Sequence, residues 1–356
     1  MATERVLVVA QAFKETLSAA EVASAIAAGV EDAGARPDVI LGSDGGDGLL
    51  EAVAPRLVKT TRHAVSGPLG DPVEAVAGWL SEDEAVVESR LVCGLSLVPP
   101  GRRNPRRTTT RGVGELVLEL SRLGARRVLI GLGGSATMDG GLGMARAFGW
   151  VPRGVSGEVL PDCGDSLAEL EAIDGGEKPP VSLTGLVDVL NPLLGAEGAA
   201  VYASQKGASA EDTVRLMKGL ERLVALLADR GARELAERPG AGAAGGLGFG
   251  ILFFGSGELQ PGARWVLDLA RFDERLKGAA MVLVAEGAFD RTSLYGKLTG
   301  EVIGRARCAG VPMALLAPRA EFVPEGVVVE SGGGRWDGQE LRRRAAAAVS
   351  RGLSSP

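Results

Sequence analysis

Short apolar runs alternate with longer amphipathic stretches through most of this chain. Residues 6–10, VLVVA, form an uninterrupted apolar run that is typical of a buried strand. In residues 22–30, apolar side chains recur every four positions, which predicts a helix. Ser18 and Glu21 have the spacing of a capping box at its start, and Gly34 is suited to its end. The alternation indicates an α/β protein built around a largely parallel sheet.

Glycine-rich or acidic loops follow several of these predicted strands. The pairs are residues 39–41 before SDGGDG, 128–132 before GGSATMDGG, 183–189 before LNPLLG and 281–285 before EGAFDRTSLYGK. Lys14 lies in QAFKETL, directly after the first strand. Because open α/β sheets bind ligands at the carboxyl ends of their strands, we expect these loops to converge on one cleft.

The loop GGSATMDGG has the chemistry of an anion-binding turn, although it lacks the spacing of a P-loop or of a dinucleotide-binding fingerprint. Gly133 and Gly134 let backbone N–H groups approach an anion, and Ser135 and Thr137 add hydroxyl donors. A helix that starts near Gly141 would add its positive end. A structural turn accounts for the same residues, because glycine and serine are common in turns for backbone reasons.

Acidic residues at two strand ends are candidates for metal binding and proton transfer. Asp44 and Asp47 could hold a hard cation such as magnesium through water, or form an ordinary Asx turn. Asp188 is placed to accept a proton from a substrate hydroxyl, and Asn191 to bind substrate or metal. Pro192 fits a plain strand exit equally well.

The tract PGAGAAGGLGFGILFF is rich in glycine, alanine and apolar residues. It predicts a close-packed helix whose small residues let another backbone or a ligand approach. A surface that faces a nucleotide is the alternative.

Composition excludes several classes of protein. Of 356 residues, 46% are hydrophobic and 24% charged, as in a folded globular protein, and the length favours two domains. The net charge is −6 and no aromatic residue interleaves the arginines of residues 102–111, so we expect no nucleic-acid partner. We expect no membrane partner either, since the longest uncharged tract, residues 240–257, is glycine-rich and short for a bilayer span.

Cysteine and histidine usage narrows the chemistry further. Cys93, Cys163 and Cys308 are far apart and form no CxxC pair, so a disulfide framework or zinc site is not indicated and a cytoplasmic location is expected. His63 is the only histidine, which excludes a three-histidine metal centre and argues against histidine-based acid–base catalysis.

Taken in order, the motifs resemble those of the bacterial glycerate kinases that phosphorylate D-glycerate with ATP and magnesium. The resembling segments are AFKETLSA, SDGGDG, SGPLGDPVEA, GLSLVPPGRRNPRRTTTRGVGEL, IGLGGSATMDGGLGM, DVLNPLLGAEGA, QKGA, PGAGAAGGLGFG and EGAFD followed by GK. They run from the first strand to about residue 317, so a chance match to one short pattern does not explain them.

The resemblance implies a fold of two unlike α/β domains. One is flavodoxin-like or Rossmann-like with a largely parallel sheet, formed by residues 1–60 and 275–356, and the other is an inserted mixed α/β domain of residues 61–274. The implied activity is phosphoryl transfer from ATP to a small hydroxy acid, with D-glycerate as the leading substrate and 2-phosphoglycerate as product. The oligomeric state is left open, and a homodimer is compatible with the sequence.

The resemblance also assigns roles to residues. Asp188 would orient and deprotonate the attacking hydroxyl, with Asp44 or Asp290 as the alternative base, and Lys14 and Asp290 are further catalytic residues. The other assignments are Gly133, Gly134, Ser135, Thr137, Lys206 and Lys297 for ATP; Arg103, Asp44 and Asn191 for substrate, with Arg103 on its carboxylate; and Asp44, Asp290 and Glu286 for magnesium.

Several positions depart from the family pattern. They are Gln11 where aspartate is usual, Cys93 where serine is, Met138 where asparagine is, Ala288 where arginine is and Thr292 where glutamine is. Losing the arginine removes a fixed positive charge that a phosphoryl-transfer site ordinarily uses. Two alternatives follow: a kinase for another small hydroxy acid, or a ligand-binding homologue without catalysis.

Overall fold

The computed structural model describes residues 3–13, 16–294 and 296–354, so Lys14 lies outside the described residues. The strands are β1 (Arg5–Ala10), β2 (Arg36–Leu41), β3 (Lys59–Ser66), β4 (Pro72–Trp79), β5 (Glu84–Glu88), β6 (Arg127–Gly131), β7 (Val151–Arg153), β8 (Ala172–Asp174), β9 (Ser182–Val187), β10 (Glu258–Pro261), β11 (Met281–Ala285), β12 (Ala288–Phe289), β13 (Met313–Leu316), β14 (Arg319–Ala320) and β15 (Val328–Glu330). The α-helices are α1 (Ala19–Asp32), α2 (Leu49–Val53), α3 (Arg90–Cys93), α4 (Arg111–Arg122), α5 (Leu142–Ala147), α6 (Ala210–Leu226), α7 (Ala232–Glu237), α8 (Ala243–Phe253), α9 (Gly262–Leu269), α10 (Phe272–Leu276), α11 (Leu298–Ala309) and α12 (Gly338–Ser354). Within the described ranges, no helix has both the length and the apolar character needed to cross a bilayer.

The chain divides into two compact units. The first comprises Met1–Asp44, Glu51–Pro55 and Gly262–Pro356, and the second comprises Gly45–Leu50 and Arg56–Pro261. The domain boundaries near residues 60 and 275 stay a prediction about where the chain separates into independently folding parts.

A parallel sheet forms the middle of the first unit, with the strand order β15-β13-β11-β1-β2. Val6 and Val8 of β1 pack in one cluster with α1 and α12, whereas Leu7 and Val9 pack in another with α9, α10 and α11. Successive strand side chains point to opposite faces, so a strand covered by helices on both faces must be apolar throughout. The predicted parallel sheet is confirmed in this unit.

The first helix begins with the predicted capping box. The backbone N–H of Glu21 donates to Ser18 Oγ at 3.2 Å, and the N–H of Ser18 donates to the Glu21 carboxylate at 2.8 Å. These bonds satisfy donors that the start of a helix leaves unpaired. The helix ends at Asp32, and Gly34 follows with a φ of 77°.

The second unit contains a mixed sheet with the order β10-β9-β6-β5-β4-β3. Its strands from β10 to β5 are parallel, and β4 pairs antiparallel with both β5 and β3. One hydrophobic cluster fills this unit and includes the fully buried Trp79, Phe249 and Phe254. The predicted class of two unlike α/β parts is therefore confirmed.

Candidate active site

The loop of residues 133–141 follows β6 and leads into α5 of the second unit. Gly140 and Gly141 have φ angles of 61° and 76°, a left-handed conformation that suits glycine. Gly46 of SDGGDG packs directly against the loop, since a methyl group on Gly133 would lie 3.0 Å from the Gly46 Cα. Glycines thus let the backbones of two loops meet with no side chain between them.

The ammonium group of Lys206 lies buried beside this loop. It donates hydrogen bonds to Ser135 Oγ at 2.9 Å and to the carbonyl oxygen of Thr137 at 2.7 Å. Burial lowers the pKa of Lys206 to about 8, and the nearby charge of Asp139 opposes that shift. Three residues predicted to bind ATP are therefore in direct contact, and a cation is fixed to the loop.

Only part of the loop is accessible. Ser135 and Thr137 are buried, and Thr137 Oγ1 donates to the carbonyl oxygen of Ala244 at 3.4 Å. Gly134, in contrast, is exposed. The side chain of Met138 is fully buried in the hydrophobic cluster, so this departure from the family pattern changes the core rather than the accessible surface. An incoming anion would therefore meet the backbone around Gly134 first.

Asp139, which was not predicted as a site residue, organises the loop from inside. Its carboxylate accepts hydrogen bonds from the N–H and Oγ1 of Thr110 at 2.7 and 2.8 Å, and from the N–H groups of Gly141 and Gly143 at 3.1 and 3.2 Å. Burial raises the pKa of Asp139 to about 6, although these donors oppose the shift. Asp139 lies three residues before Leu142, the first residue of α5, so it reaches N–H donors at the start of this helix without being its N-cap residue.

Ala244, Gly245 and Gly246 form a left-handed turn near the start of α8, with φ angles of 51°, 72° and 90°. The turn packs on the loop: Gly140 N–H donates to the carbonyl oxygen of Gly245 at 3.2 Å. A methyl group on Gly246 would lie 2.7 Å from the Gly140 Cα. The predicted close approach of another backbone is confirmed, but the prediction of a continuous helix is wrong at these three residues.

Arg90 and Glu88 connect the SDGGDG segment to the same loop. The buried Glu88 carboxylate accepts from Arg90 Nε at 2.5 Å and from the N–H of Leu50 at 2.8 Å. Arg90 Nε also lies 3.5 Å from Asp47 Oδ1, and a methyl group on Gly134 would lie 3.3 Å from Arg90 Cβ. Sequence patterns did not predict this cluster, because only the folded chain brings its members together.

Asp188 is half-buried and directly follows β9. Nearby, the Tyr202 hydroxyl donates to Asn191 Oδ1 at 3.1 Å, and Asn191 Nδ2 donates to the carbonyl oxygen of Glu197 at 2.6 Å. Burial, and secondly the charge of Asp188, raise the pKa of Tyr202. The Asn191 amide is thus held on both sides by the chain itself, and binding a substrate would require it to exchange one of these bonds.

Arg103 lies beside Gly207, the residue that follows Lys206. A methyl group on Gly207 would lie 3.0 Å from Arg103 Cβ. Arg103 Nε donates to the carbonyl oxygen of Val98 at 3.2 Å, and the side chain is half-buried. The carboxylate-binding role predicted for Arg103 stays a prediction.

In the first unit, two predicted metal ligands are near each other. Asp44 Oδ1 accepts from the N–H of Leu298, the first residue of α11, at 2.6 Å. Glu286 is buried and accepts from Ser293 Oγ at 3.0 Å. Burial raises the pKa of Glu286 to about 7, and the negative charge of Asp44 adds to that shift.

In the first unit, Asp290 and Lys297 are linked by hydrogen bonds through Thr292. Asp290 Oδ1 accepts from the N–H and Oγ1 of Thr292 at 2.7 and 2.6 Å and from the N–H of Ser293 at 3.2 Å. Lys297 Nζ donates to Thr292 Oγ1 at 2.8 Å. The hydrogen bond from Thr292, and to a smaller extent the charge of Lys297, lower the pKa of Asp290. Thr292, a departure from the family pattern, thus couples a predicted cation to a predicted carboxylate.

These carboxylates suit a cation that is shared with a substrate better than a metal cage made by protein alone. In the part of the chain that the structure describes, no three Asp, Glu, His or Cys side chains gather into a metal site. Glu286 Oε2 is buried and makes no hydrogen bond of normal geometry with those residues, although Thr299 is close enough to oppose the rise in the pKa of Glu286. Magnesium usually takes one or two carboxylates together with water and substrate phosphates, so the carboxylate chemistry fits it.

Other polar candidates have structural roles. His63 Nδ1 lies 2.8 Å from Glu119 Oε2 in a buried position. Arg106 forms an ion pair with Asp165 at 2.9 Å. Burial raises the pKa of the Cys93 thiol to about 12, which makes it an inert core residue.

Comparisons with known proteins agree with one another. Residues 6–349 match the model of the Glycerate kinase family. The chain is 38% identical to the glycerate kinase of Halalkalibacterium halodurans, over 88% of this chain and 84% of that protein. It is 36% identical to the glycerate 2-kinase of Escherichia coli, over 83% and 80%. A crystal structure described as glycerate kinase 2 from Salmonella typhimurium LT2 aligns with a TM-score of 0.82 and 31% identity over 98% of both chains.

Proposed function

The chain belongs to the glycerate kinase family and is a small-molecule kinase, and we propose that it transfers the γ-phosphoryl group of ATP, in a magnesium-dependent reaction, to a hydroxyl of D-glycerate, giving 2-phosphoglycerate and ADP. The observation that supports this most directly is the Lys206 ammonium bound to Ser135 and Thr137 in the glycine loop. Such chemistry depends on positioning and on charge stabilisation, which a rigid glycine loop with a fixed cation supplies.

Asp188 is the proposed group that orients the attacking hydroxyl and accepts its proton. It is half-buried at the carboxyl end of β9, where ligands of parallel sheets bind. Arg103 is proposed to hold the carboxylate of the acceptor, because a guanidinium fork matches a carboxylate in geometry and charge. Gly133 and Gly134 are proposed to offer backbone to the ATP phosphates.

Asp44, Asp290 and Glu286 are proposed to hold magnesium, with Lys297 as a nearby cation. The buried Oε2 of Glu286, which makes no hydrogen bond of normal geometry, supports this assignment. Bound magnesium would neutralise charge on the ATP phosphates. For this chain's residues, the assignment means that Asp290 acts as an ionised carboxylate, since its pKa is lowered by Thr292.

ADP release measured with ATP, magnesium and D-glycerate tests the proposal. We expect turnover that depends on D-glycerate and is abolished by EDTA and restored by added magnesium. Enolase, which accepts 2-phosphoglycerate directly, identifies the product when it is added without a mutase. The same assay is carried out in parallel with a panel of other small hydroxy acids and with a control reaction that contains no acceptor.

Each alternative has its own outcome in the same assay. Turnover only with another acid of the panel would replace D-glycerate as the substrate. If folded protein releases no ADP with any acid, the result would contradict the kinase proposal and favour a ligand-binding homologue.

The pH dependence of kcat/KM is expected to follow Lys206. Burial lowers its pKa from an ordinary 10.5 to about 8, so the group is protonated below that pH and neutral above it. We therefore expect kcat/KM, which reports groups of the free enzyme, to fall as the pH rises above about 8. The free energy of unfolding is expected to increase between pH 8 and 10.5 through the contribution of Lys206. In that range the unfolded side chain binds a proton that the folded one has lost.

Lys206→Met is the control, because it keeps an apolar stem without an amine. Its kcat/KM is expected to be low at all pH values and to lack the decline above pH 8. If the decline persists in Lys206→Met, another group is responsible for it.

A further inference from the structure

A cavity of about 440 Å³ opens in the first unit, beside the short strands β12 and β14. These strands are parallel, and Ala288 pairs in register with Arg319. They follow β11 and β13, which are neighbours in the central parallel sheet. The cavity is therefore at the carboxyl end of that sheet, where ligands of open α/β folds bind.

Side chains of opposite charge line this cavity. The charged lining residues are Arg319, Asp290 and Glu321, and Ser331, Pro318 and Gly332 line it as well. Ala288 of β12 also lines the cavity and carries only a methyl group. The positively charged lining residue is Arg319 of the neighbouring strand β14. A volume of this size accommodates a small anion or one anionic group of a larger ligand.

The Asp290 carboxylate is stabilised by neighbouring donors and by the nearby charge of Lys297. Its Oδ1 accepts three hydrogen bonds from Thr292 and Ser293, and Lys297 reaches the same Thr292 hydroxyl at 2.8 Å. The Arg319 guanidinium is exposed and makes no ion pair with any residue that the structure describes. Other arginines of the unit, such as Arg275 and Arg342, are paired with Asp38 and Asp32.

We propose that Arg319 binds an oxyanion of a reactant, either a phosphate of the donor nucleotide or the carboxylate of the acceptor acid, in the cavity beside β12 and β14. The assignment of that oxyanion to a reactant rests on the proposed function. A guanidinium can bind two oxygens of such a group at once, whereas an ammonium offers one point charge. Arg319 is then the cation that β14 contributes to the cavity lining.

Arg319→Ala tests the proposal, with Arg319→Lys and Arg291→Ala as matched variants. Arg291 is an exposed arginine close to Asp290 in sequence that does not line the cavity. We expect Arg319→Ala to raise one KM, or the matching Kd from titration calorimetry, by about 10-fold or more, which is the usual effect of losing a charged hydrogen bond. Arg319→Lys should recover part of the loss, and Arg291→Ala should stay within about two-fold of the parent.

The same data identify the source of the oxyanion. If Arg319→Ala changes KM and Kd for ATP alone, the oxyanion is a phosphate of the nucleotide. If it changes them for D-glycerate alone, the oxyanion is the carboxylate of the acceptor. The double variant Arg319→Ala/Ala288→Arg moves the guanidinium to the partner strand in register, and it is expected to recover binding.

Two results would overturn the inference. One is equal Kd values, or equal absence of binding, for the parent and Arg319→Ala with both ATP and D-glycerate. The other is a loss in Arg291→Ala as large as in Arg319→Ala. If the parent binds these ligands but turns none of them over, the proposed function fails, while the calorimetric comparison still decides the role of Arg319.

Discussion

Asp188→Asn is expected to lower kcat by about 100-fold or more, the usual worth of a positioned general base. The amide keeps the size of the carboxylate and cannot take the proton of the attacking hydroxyl. Since the side chain is half-buried and next to the hydrogen-bonded Tyr202–Asn191 pair, the substitution should leave the fold intact. Steady-state kinetics with ATP and D-glycerate, beside a thermal unfolding curve, measure both effects.

The matched control is Asp229→Asn, which changes an exposed aspartate of the same unit. Its kcat is expected to stay within about two-fold of the parent, as for a surface substitution away from the chemistry. A loss of only a few-fold in folded Asp188→Asn would refute Asp188 as the base and direct attention to Asp44 or Asp290.

Gly245→Ala is expected to lower the free energy of unfolding by about 3 kcal/mol or more, at the upper end of the usual range. Its φ of 72° is unfavourable for alanine, and the added methyl group would overlap the Thr137 carbonyl oxygen. The same methyl would lie 3.0 Å from Lys206 Nζ, so the folded fraction should also lose kcat/KM. Urea titration with a linear extrapolation measures the stability change.

Ala244→Gly provides the comparison within the same turn. Here the left-handed φ of 51° costs the native alanine about 1–2 kcal/mol, which glycine avoids, whereas the freer unfolded chain costs glycine about 0.4–1 kcal/mol. The net change is expected to be small and, if anything, stabilising. Similar losses in both variants would show that the loss in Gly245→Ala does not come from the added methyl group, and the steric argument would be wrong.

Local patterns predicted the regular elements well, because strand and helix periods are written in neighbouring residues. The apolar run 281–285 became β11 with the same bounds, and the Ser18–Glu21 box starts α1. The run 183–189 was predicted two residues too long at its end, since β9 ends at Val187. Asp188 therefore lies just outside the strand, so the alternation of strand side chains between the two faces of the sheet does not predict where its side chain points.

Contacts between distant segments were beyond such patterns. The left-handed turn at Ala244 depends on packing against a loop about 100 residues earlier in the sequence. The glycine-rich apolar tract alone therefore predicted only a helix. The Glu88–Arg90–Asp47 cluster likewise needs the SDGGDG segment to reach the end of β5. Ser135 and Thr137 were identified as hydroxyl donors from the glycine loop itself, whereas Lys206 came from the family resemblance, and the contact between Lys206 and these two residues was not predicted.

The buried Asp139 carboxylate has a consequence for the entropy of ligand binding. Asp139 ties Thr110 at the start of α4 to Gly141 and Gly143 at the start of α5, and these hydrogen bonds hold the glycine loop in this backbone conformation without a ligand. The conformational entropy of these flexible glycines is thus lost when the protein folds and not when an anion binds. An anion that reaches the loop has less ordering to impose, so more of its interaction energy appears as affinity.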